Sequence, residues 1–89
     1  MISCTTARFR KCFARLPDQI QRQARQAYKN FRRDTGHPGL NFKPTKRVQT
    51  VYSVRVALGW RALGDKNGNR IVWFWIGSHA EYQRLIAGL

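Results

Sequence analysis

The segment Val51–Leu85 constrains the fold more than any other part of the 89-residue chain. Residues 52, 54 and 56 are apolar or aromatic while residues 53 and 55 are polar, the alternation of a half-buried strand. Ala57-Leu58-Gly59 has the composition of a three-residue hairpin loop, and Asn67-Gly68 is a strong signal for a two-residue turn. The apolar run Ile71–Ile76 fits a buried strand. The segment therefore predicts a meander of three antiparallel strands.

These turns predict a register. Across the first hairpin Arg55 falls opposite Arg61, and like charges directly opposite each other destabilise a sheet. We therefore expect the two arginines to bind an anion. The alternative is that both are simply solvated. Across the second hairpin the expected pairs are Asp65 with Arg70, Ala62 with Trp73 and Arg61 with Phe74. This register places the tryptophans on a core face with Val54, Val56 and Ile71, and it places Val72, Phe74 and Ile76 on the arginine face.

A short helix is expected at the end of the segment. Gly77 should end the last strand, and Ser78 with Glu81 forms a capping-box pattern. The helix then runs from His79 to about Ala87, and Gly88 is suited to end it. Histidine exchanges a proton near neutral pH, and Tyr82 follows three residues after His79 on the same helical face. His79 is therefore a candidate acid or base, although by itself it would more often be structural or solvated.

The first half of the chain predicts a short strand over Met1–Cys4 and two helices. Their apolar stripes are Phe9, Cys12, Phe13 and Leu16 in the first helix and Ile20, Ala24, Ala27, Tyr28 and Phe31 in the second. Pro17 separates the helices, and residues 34–39 form a loop in which His37 is solvated. The expected fold is α+β with a single domain over residues 1–89. It has an antiparallel sheet of three to four strands, an N-terminal helix hairpin on one face, and a short C-terminal helix.

The charge of the chain favours polyanionic partners. Seventeen Lys and Arg against four Asp and Glu give a formal net charge of +13. Nucleic acid is the first candidate, ahead of an anionic membrane or an acidic protein. The expected nucleic-acid-binding residues are Arg22, Arg25, Lys29, Arg32 and Arg33 of the second helix, together with Lys46 and Arg47. The two cysteines, Cys4 and Cys12, lack metal-ligand spacing, so we expect no metal and no other cofactor. A cytoplasmic protein without a membrane segment is expected.

Four motifs resemble the RelE/ParE superfamily of toxins from bacterial type II toxin–antitoxin systems. They are Leu40-Asn-Phe-Lys43, Tyr52-Ser-Val-Arg-Val56, Gly59-Trp-Arg-Ala-Leu63 and Ile76-Gly-Ser-His-Ala-Glu-Tyr82. The resemblance covers essentially the whole chain, though residues 1–40 match only in kind. It implies a ribosome-dependent endoribonuclease that cuts mRNA and is held inactive by a cognate acidic antitoxin in a heteromeric complex.

The same resemblance implies roles for individual residues. Arg61 matches the phosphate-stabilising arginine and Arg55 a second basic position, while His79 and Tyr82 lie where family members keep C-terminal catalytic residues. Lys43 is a looser match. Ser53 stands where some members have lysine, and Glu81 is the one glutamate near the site, so the identity of the base stays open. Phe74 is expected to stack on a base.

Two other functions fit the sequence. The gyrase-inhibiting branch of the superfamily acts by binding, and it tends to lack the basic and histidine residues present here. A non-catalytic RNA- or ribosome-binding protein fits the net charge equally well. The arginine-rich helix faces are expected to contact ribosomal RNA in either an enzyme or a binding protein.

Overall fold

The sheet has five strands, with helices packed on both faces. The structure is a computed structural model that describes residues 1–88. The strands lie in the order β1-β5-β4-β3-β2; β1 is parallel to β5 and every other neighbouring pair is antiparallel. In chain order the elements are β1 (Ile2–Thr5), α1 (Ala7–Ala14), α2 (Asp18–Arg33), a 3₁₀ turn (Pro38–Leu40), β2 (Lys43–Pro44), β3 (Val51–Ala57), β4 (Trp60–Asn67), β5 (Arg70–Ser78) and α3 (His79–Ala87).

The predicted α+β class with an N-terminal helix hairpin and a C-terminal helix is confirmed. The sheet has five strands rather than three to four because short strands extend the meander at both edges. Within the described residues, no helix is both long and apolar enough to cross a bilayer.

The helix pair α1 and α2 covers one face of the sheet, here called the helix-pair face. Thr6 caps α1 by accepting a hydrogen bond from the Phe9 backbone N–H at 3.1 Å. Tyr28 was predicted in the apolar stripe of α2 but is 40% exposed, and the Arg32 guanidinium lies 5.9 Å from its ring centroid. The buried residues on this face are Leu16, Ala24, Ala27, Phe31, Leu40, Val54, Ala62, Ile71, Trp73 and Ile76.

A bulge in β5 decides which aromatic side chains lie on which face. Leu63 pairs with Trp75 and Gly64 pairs with Trp73, so Phe74 is an extra residue on β5. The extra residue reverses the alternation of side chains. Trp73 therefore joins the helix-pair face, while Trp75 packs with Val51 and Leu63 on the opposite face, which α3 covers. We call this second surface the α3 face.

The predicted register of the second hairpin is therefore wrong. Ala62 pairs with Ile76 and Arg61 pairs with Gly77. Asp65 pairs with Val72 because the turn residues are Gly68 and Asn69, one position later than predicted, with Gly68 at φ 61°. The same bulge moves Trp75 off the predicted core face and brings Ile76 onto it.

The first hairpin retains its predicted arginine pair despite a shorter turn. Ala57 pairs with Trp60 across the two-residue turn Leu58–Gly59, where Gly59 has φ 81°. An irregularity between Arg55 and Ala57 compensates for the missing loop residue, so Arg55 still pairs with Arg61.

The predicted capping box begins α3. The Glu81 N–H donates to Ser78 Oγ at 3.2 Å, and the Ser78 N–H donates to Glu81 Oε1 at 3.4 Å. β5 continues through Gly77 to Ser78, so the prediction that Gly77 ends the strand is wrong. A Cβ at Gly77 would lie 2.6 Å from Trp75 Cζ2. The glycine therefore leaves space for the indole ring.

We expect Gly77→Ala to destabilise the fold by about 1–3 kcal/mol, because the added methyl overpacks against the buried Trp75 ring. The measurement is the free energy of unfolding from urea titration. Gly39→Ala is the matched control, since a Cβ there meets His37 Cε1 at 3.5 Å, an ordinary contact. Equal stability of the two variants would contradict the packing described for Trp75.

Candidate active site

Arg55 and Arg61 lie opposite each other on β3 and β4, and Gly77 continues the same row on β5. Side chains along a strand alternate between faces, so Arg61 shares the face of Leu63, and Arg55 shares the face of Ser53 and Val51. Leu63 and Val51 belong to the cluster under α3. Both arginines therefore extend from the α3 face, and their predicted juxtaposition is confirmed at the level of strand register.

The ring of Tyr82 brings Arg61 and His79 together. Arg61 Cζ lies 5.8 Å from the Tyr82 ring centroid, within the distance of a cation–π contact. The His79 and Tyr82 rings are stacked with centroids 5.6 Å apart and an interplanar angle of 23°. All three side chains are half-buried. A guanidinium and an imidazole are thus held on one aromatic ring with part of each open to solvent.

The position of His79 is fixed by the hairpin between β3 and β4. Its backbone N–H donates to the Gly59 carbonyl at 2.8 Å, so the start of α3 is bonded to the tip of that hairpin. The N-terminus of a helix also carries a partial positive charge that favours anions. His79 therefore lies at a helix N-terminus, against the same Tyr82 ring that Arg61 contacts.

Glu81 is already engaged by the helix cap. In addition to the backbone bond, its Oε1 accepts a hydrogen bond from Ser78 Oγ at 3.0 Å. This carboxylate stabilises the start of α3. Among residues 1–88, no three His, Cys, Asp or Glu side chains are grouped so that they could hold a metal ion.

Lys43 lies farther from the centre of the site. It pairs with Ser53 on the edge strand β2 and is exposed. Two strand spacings separate it from β4, which places its Cα on the order of 10 Å from Arg61. Ser53, the position compared with a lysine in the sequence analysis, is buried, with 1% of its surface exposed.

Phe74 does not lie next to Arg61. The residue opposite Arg61 is Gly77, three positions along β5, a separation of about 10 Å. Phe74 instead packs against the cluster of Val51, Leu63 and Trp75. The predicted pairing of Phe74 with Arg61 is wrong, because the turn lies one residue later than predicted and the bulge at Phe74 adds a further shift.

The sequence analysis missed the part played by Trp75 and Gly77. Gly77, which pairs with Arg61, has no side chain, and the Trp75 ring occupies the space above it. Tyr82 packs against the same cluster as Trp75. A glycine inside a strand often marks such a close approach, so the signal was present.

The predicted nucleic-acid-binding residues of α2 are exposed and lie on a different side of the molecule from Arg61. α2 packs on the helix-pair face, and its basic side chains point away from the sheet. Arg25 also lies 5.0 Å from the Phe13 ring centroid. Exposed basic residues therefore extend around the protein: Arg22, Arg25, Lys29, Arg32 and Arg33 on α2, and Lys46 and Arg47 between β2 and β3.

Solved structures with this fold include several toxins and toxin–antitoxin complexes. The RelB-RelE antitoxin-toxin complex from Methanococcus jannaschii has a TM-score of 0.75 at 14% identity, covering 92% of this chain and 96% of that chain. The RelBE2 toxin–antitoxin complex from Mycobacterium tuberculosis has a TM-score of 0.70 at 19% identity, covering 89% and 91%. The isolated E. coli RelE toxin has a TM-score of 0.66 at 9% identity, covering 99% and 98%. At these identities the likeness establishes the fold.

The sequence comparison is more specific. No curated protein matches the chain, but the sequence model of the ParE-like toxin domain family matches residues 18–84. That match includes α2, the whole meander and the Arg61, His79 and Tyr82 group. The chain therefore belongs to the ParE-like toxin domain family, within the RelE/ParE superfamily that its motifs predicted.

Proposed function

We propose that this protein is the toxin of a type II toxin–antitoxin pair and that it cleaves mRNA on the ribosome without a metal ion. The observation that carries the proposal is the contact of Arg61 and His79 with one Tyr82 ring, beside the Arg55–Arg61 pair. This arrangement places a positive charge and a proton-exchanging group against one partly exposed tyrosine ring.

Cleavage of RNA without metal has three chemical requirements. The 2′-oxygen attacks its adjacent phosphorus and loses its proton to a base, while the bond to the 5′-oxygen breaks and that oxygen takes a proton from an acid. The products are a 2′,3′-cyclic phosphate and a free 5′-hydroxyl. Cations stabilise the additional negative charge of the phosphorane.

The residues of the site match these requirements. Arg61 and Arg55 stabilise the phosphorane, and His79 acts as the acid or the base. Tyr82 or Lys43 is the counterpart of His79; Tyr82 is the better placed, because its ring contacts His79 while Lys43 lies about two strand spacings from β4.

The distribution of charge supports a ribosomal substrate. The net charge of +13 exceeds what one phosphate requires, and the basic side chains of α2 lie on the side opposite the site. These side chains are free to contact ribosomal RNA backbone in the cytoplasm while the α3 face holds mRNA. An acidic antitoxin segment laid over the α3 face would neutralise the site and block it. Solved structures with this fold include antitoxin–toxin complexes.

A second candidate function is gyrase inhibition, because the matching family is named for ParE-like toxins. Binding to gyrase does not require a paired guanidinium and imidazole. Supercoiling by gyrase in the presence of the purified protein, alongside translation in a cell-free extract, separates the two functions. We expect translation to stop and supercoiling to continue; the reverse outcome would support the ParE-type function.

We expect Arg61→Ala to lower mRNA cleavage on programmed ribosomes by about 10²–10³-fold, since it removes a charge that stabilises the transition state. His79→Ala should cost about 10²–10⁴-fold, the contribution of a general acid or base. Primer extension measures both. Arg8→Ala, an exposed α1 residue with the same charge, is the matched control and should retain activity. Unchanged cleavage by the Arg61 and His79 variants would refute the proposed site.

We expect Tyr82→Phe and Tyr82→Leu to differ. Phenylalanine keeps the ring that Arg61 and His79 contact but lacks the hydroxyl that exchanges a proton, so its activity should fall by about 10²-fold or more. Leucine removes the ring and should cause the larger loss. Single-turnover cleavage rates on the ribosome measure the difference. Near-wild-type activity of the Phe variant would instead leave Lys43 as the counterpart of His79, and equal losses in both variants would show that the ring adds nothing beyond the hydroxyl.

A further inference from the structure

A groove of about 390 Å³ lies between α2 and the β3–β4 hairpin, outside the site described above. Its volume is typical of small-ligand sites. Gln23, Gln26 and Asn30 line it from α2, and these positions share one side of the helix. His37 and Leu58 are among the residues that line the groove from its other sides.

The amides in this groove present both hydrogen-bond donors and acceptors. Gln26 Nε2 donates to Asn30 Oδ1 at 3.3 Å. A primary amide has two N–H donors and one carbonyl oxygen. The contact therefore leaves the Gln26 oxygen and the Asn30 NH₂ group beside each other, an acceptor next to a donor.

The groove adjoins the candidate active site through β3. Arg55 lines the groove and pairs with Arg61 on the next strand. β2 begins at Lys43, opposite Ser53, so β2 does not cover the outer edge of β3 beyond Ser53. Leu58 is 82% exposed and precedes Gly59, whose carbonyl accepts the His79 N–H. The groove and the site thus lie on two sides of one hairpin tip.

We propose that this groove is a subsite for the base of an unstacked RNA nucleotide, an inference that rests on the proposed function. An adjacent donor and acceptor match the edges of an unstacked RNA base. The exposed Leu58 side chain provides an apolar surface for the face of that base. A carboxylate-rich peptide would instead be recognised by lysine and arginine side chains, whereas the α2 side of this groove carries amides.

The test is the binding of short 2′-O-methyl oligonucleotides, in which the methyl group prevents cleavage. Four tetranucleotides differ at one base, and a fifth lacks that base. Fluorescence anisotropy at fixed salt gives their affinities. We expect one base to bind at least about fivefold more tightly than the abasic oligonucleotide, the lower end for a paired side-chain contact.

Gln26→Ala and Asn30→Ala should each reduce binding of the preferred oligonucleotide to the abasic level and leave the abasic affinity unchanged. Gln19→Ala is the matched control, because Gln19 is an exposed amide at the start of α2 and does not line the groove. The control should retain the base preference of the wild-type protein.

Three results would overturn the subsite. The first is no binding of any oligonucleotide, and the second is equal affinity of the wild-type protein for intact and abasic oligonucleotides. The third is weaker binding of the abasic oligonucleotide by the Gln26→Ala variant. Because binding is measured without cleavage, the two proposals fail separately. Base preference without mRNA cleavage would refute the nuclease alone, and cleavage without base preference would refute the subsite alone.

Discussion

The single extra residue in β5 is the constraint on which the rest of the structure depends. Without the bulge at Phe74, Trp73 and Trp75 would share one face of the sheet. With it, Trp73 packs edge-on to Phe31 at 5.5 Å and donates its indole N–H to Ser3 Oγ at 2.8 Å. Trp75 supports the cluster beneath α3. One irregularity therefore provides an apolar anchor for helices on both sides of a thin sheet.

The candidate active site is a consequence of the α3-face packing. Tyr82 reaches Arg61 because the cluster of Val51, Leu63 and Trp75 fixes α3 against the sheet, and Gly77 leaves room for the indole. The opposed arginines on the same face work against folding, since like charges in a cross-strand pair repel. Under the proposed function, a bound phosphate would offset this repulsion.

The sequence predicted the elements well where local patterns determine them. The capping box at Ser78, the helix stripes and the Arg55–Arg61 pair were all found from spacing and turn composition, and family motifs identified the residues that meet at Tyr82. The register of the second hairpin was wrong for two reasons: the turn lies one residue later than Asn67-Gly68, and a bulge has no distinct signature within a continuous apolar run. Three consecutive aromatic residues, Trp73 to Trp75, fit either face. The packing against tertiary neighbours that selects between them is not a local property.

The hydrogen bond between the His79 N–H and the Gly59 carbonyl limits where residues can be inserted without moving His79. An insertion between Ala57 and Trp60 would displace the acceptor and carry the start of α3 away from Arg61. An insertion in the exposed Lys46–Arg47 segment would leave both ends of that bond in place. The length of the β3–β4 turn therefore sets the position of the His79 imidazole, whereas the length of the Lys46–Arg47 segment does not.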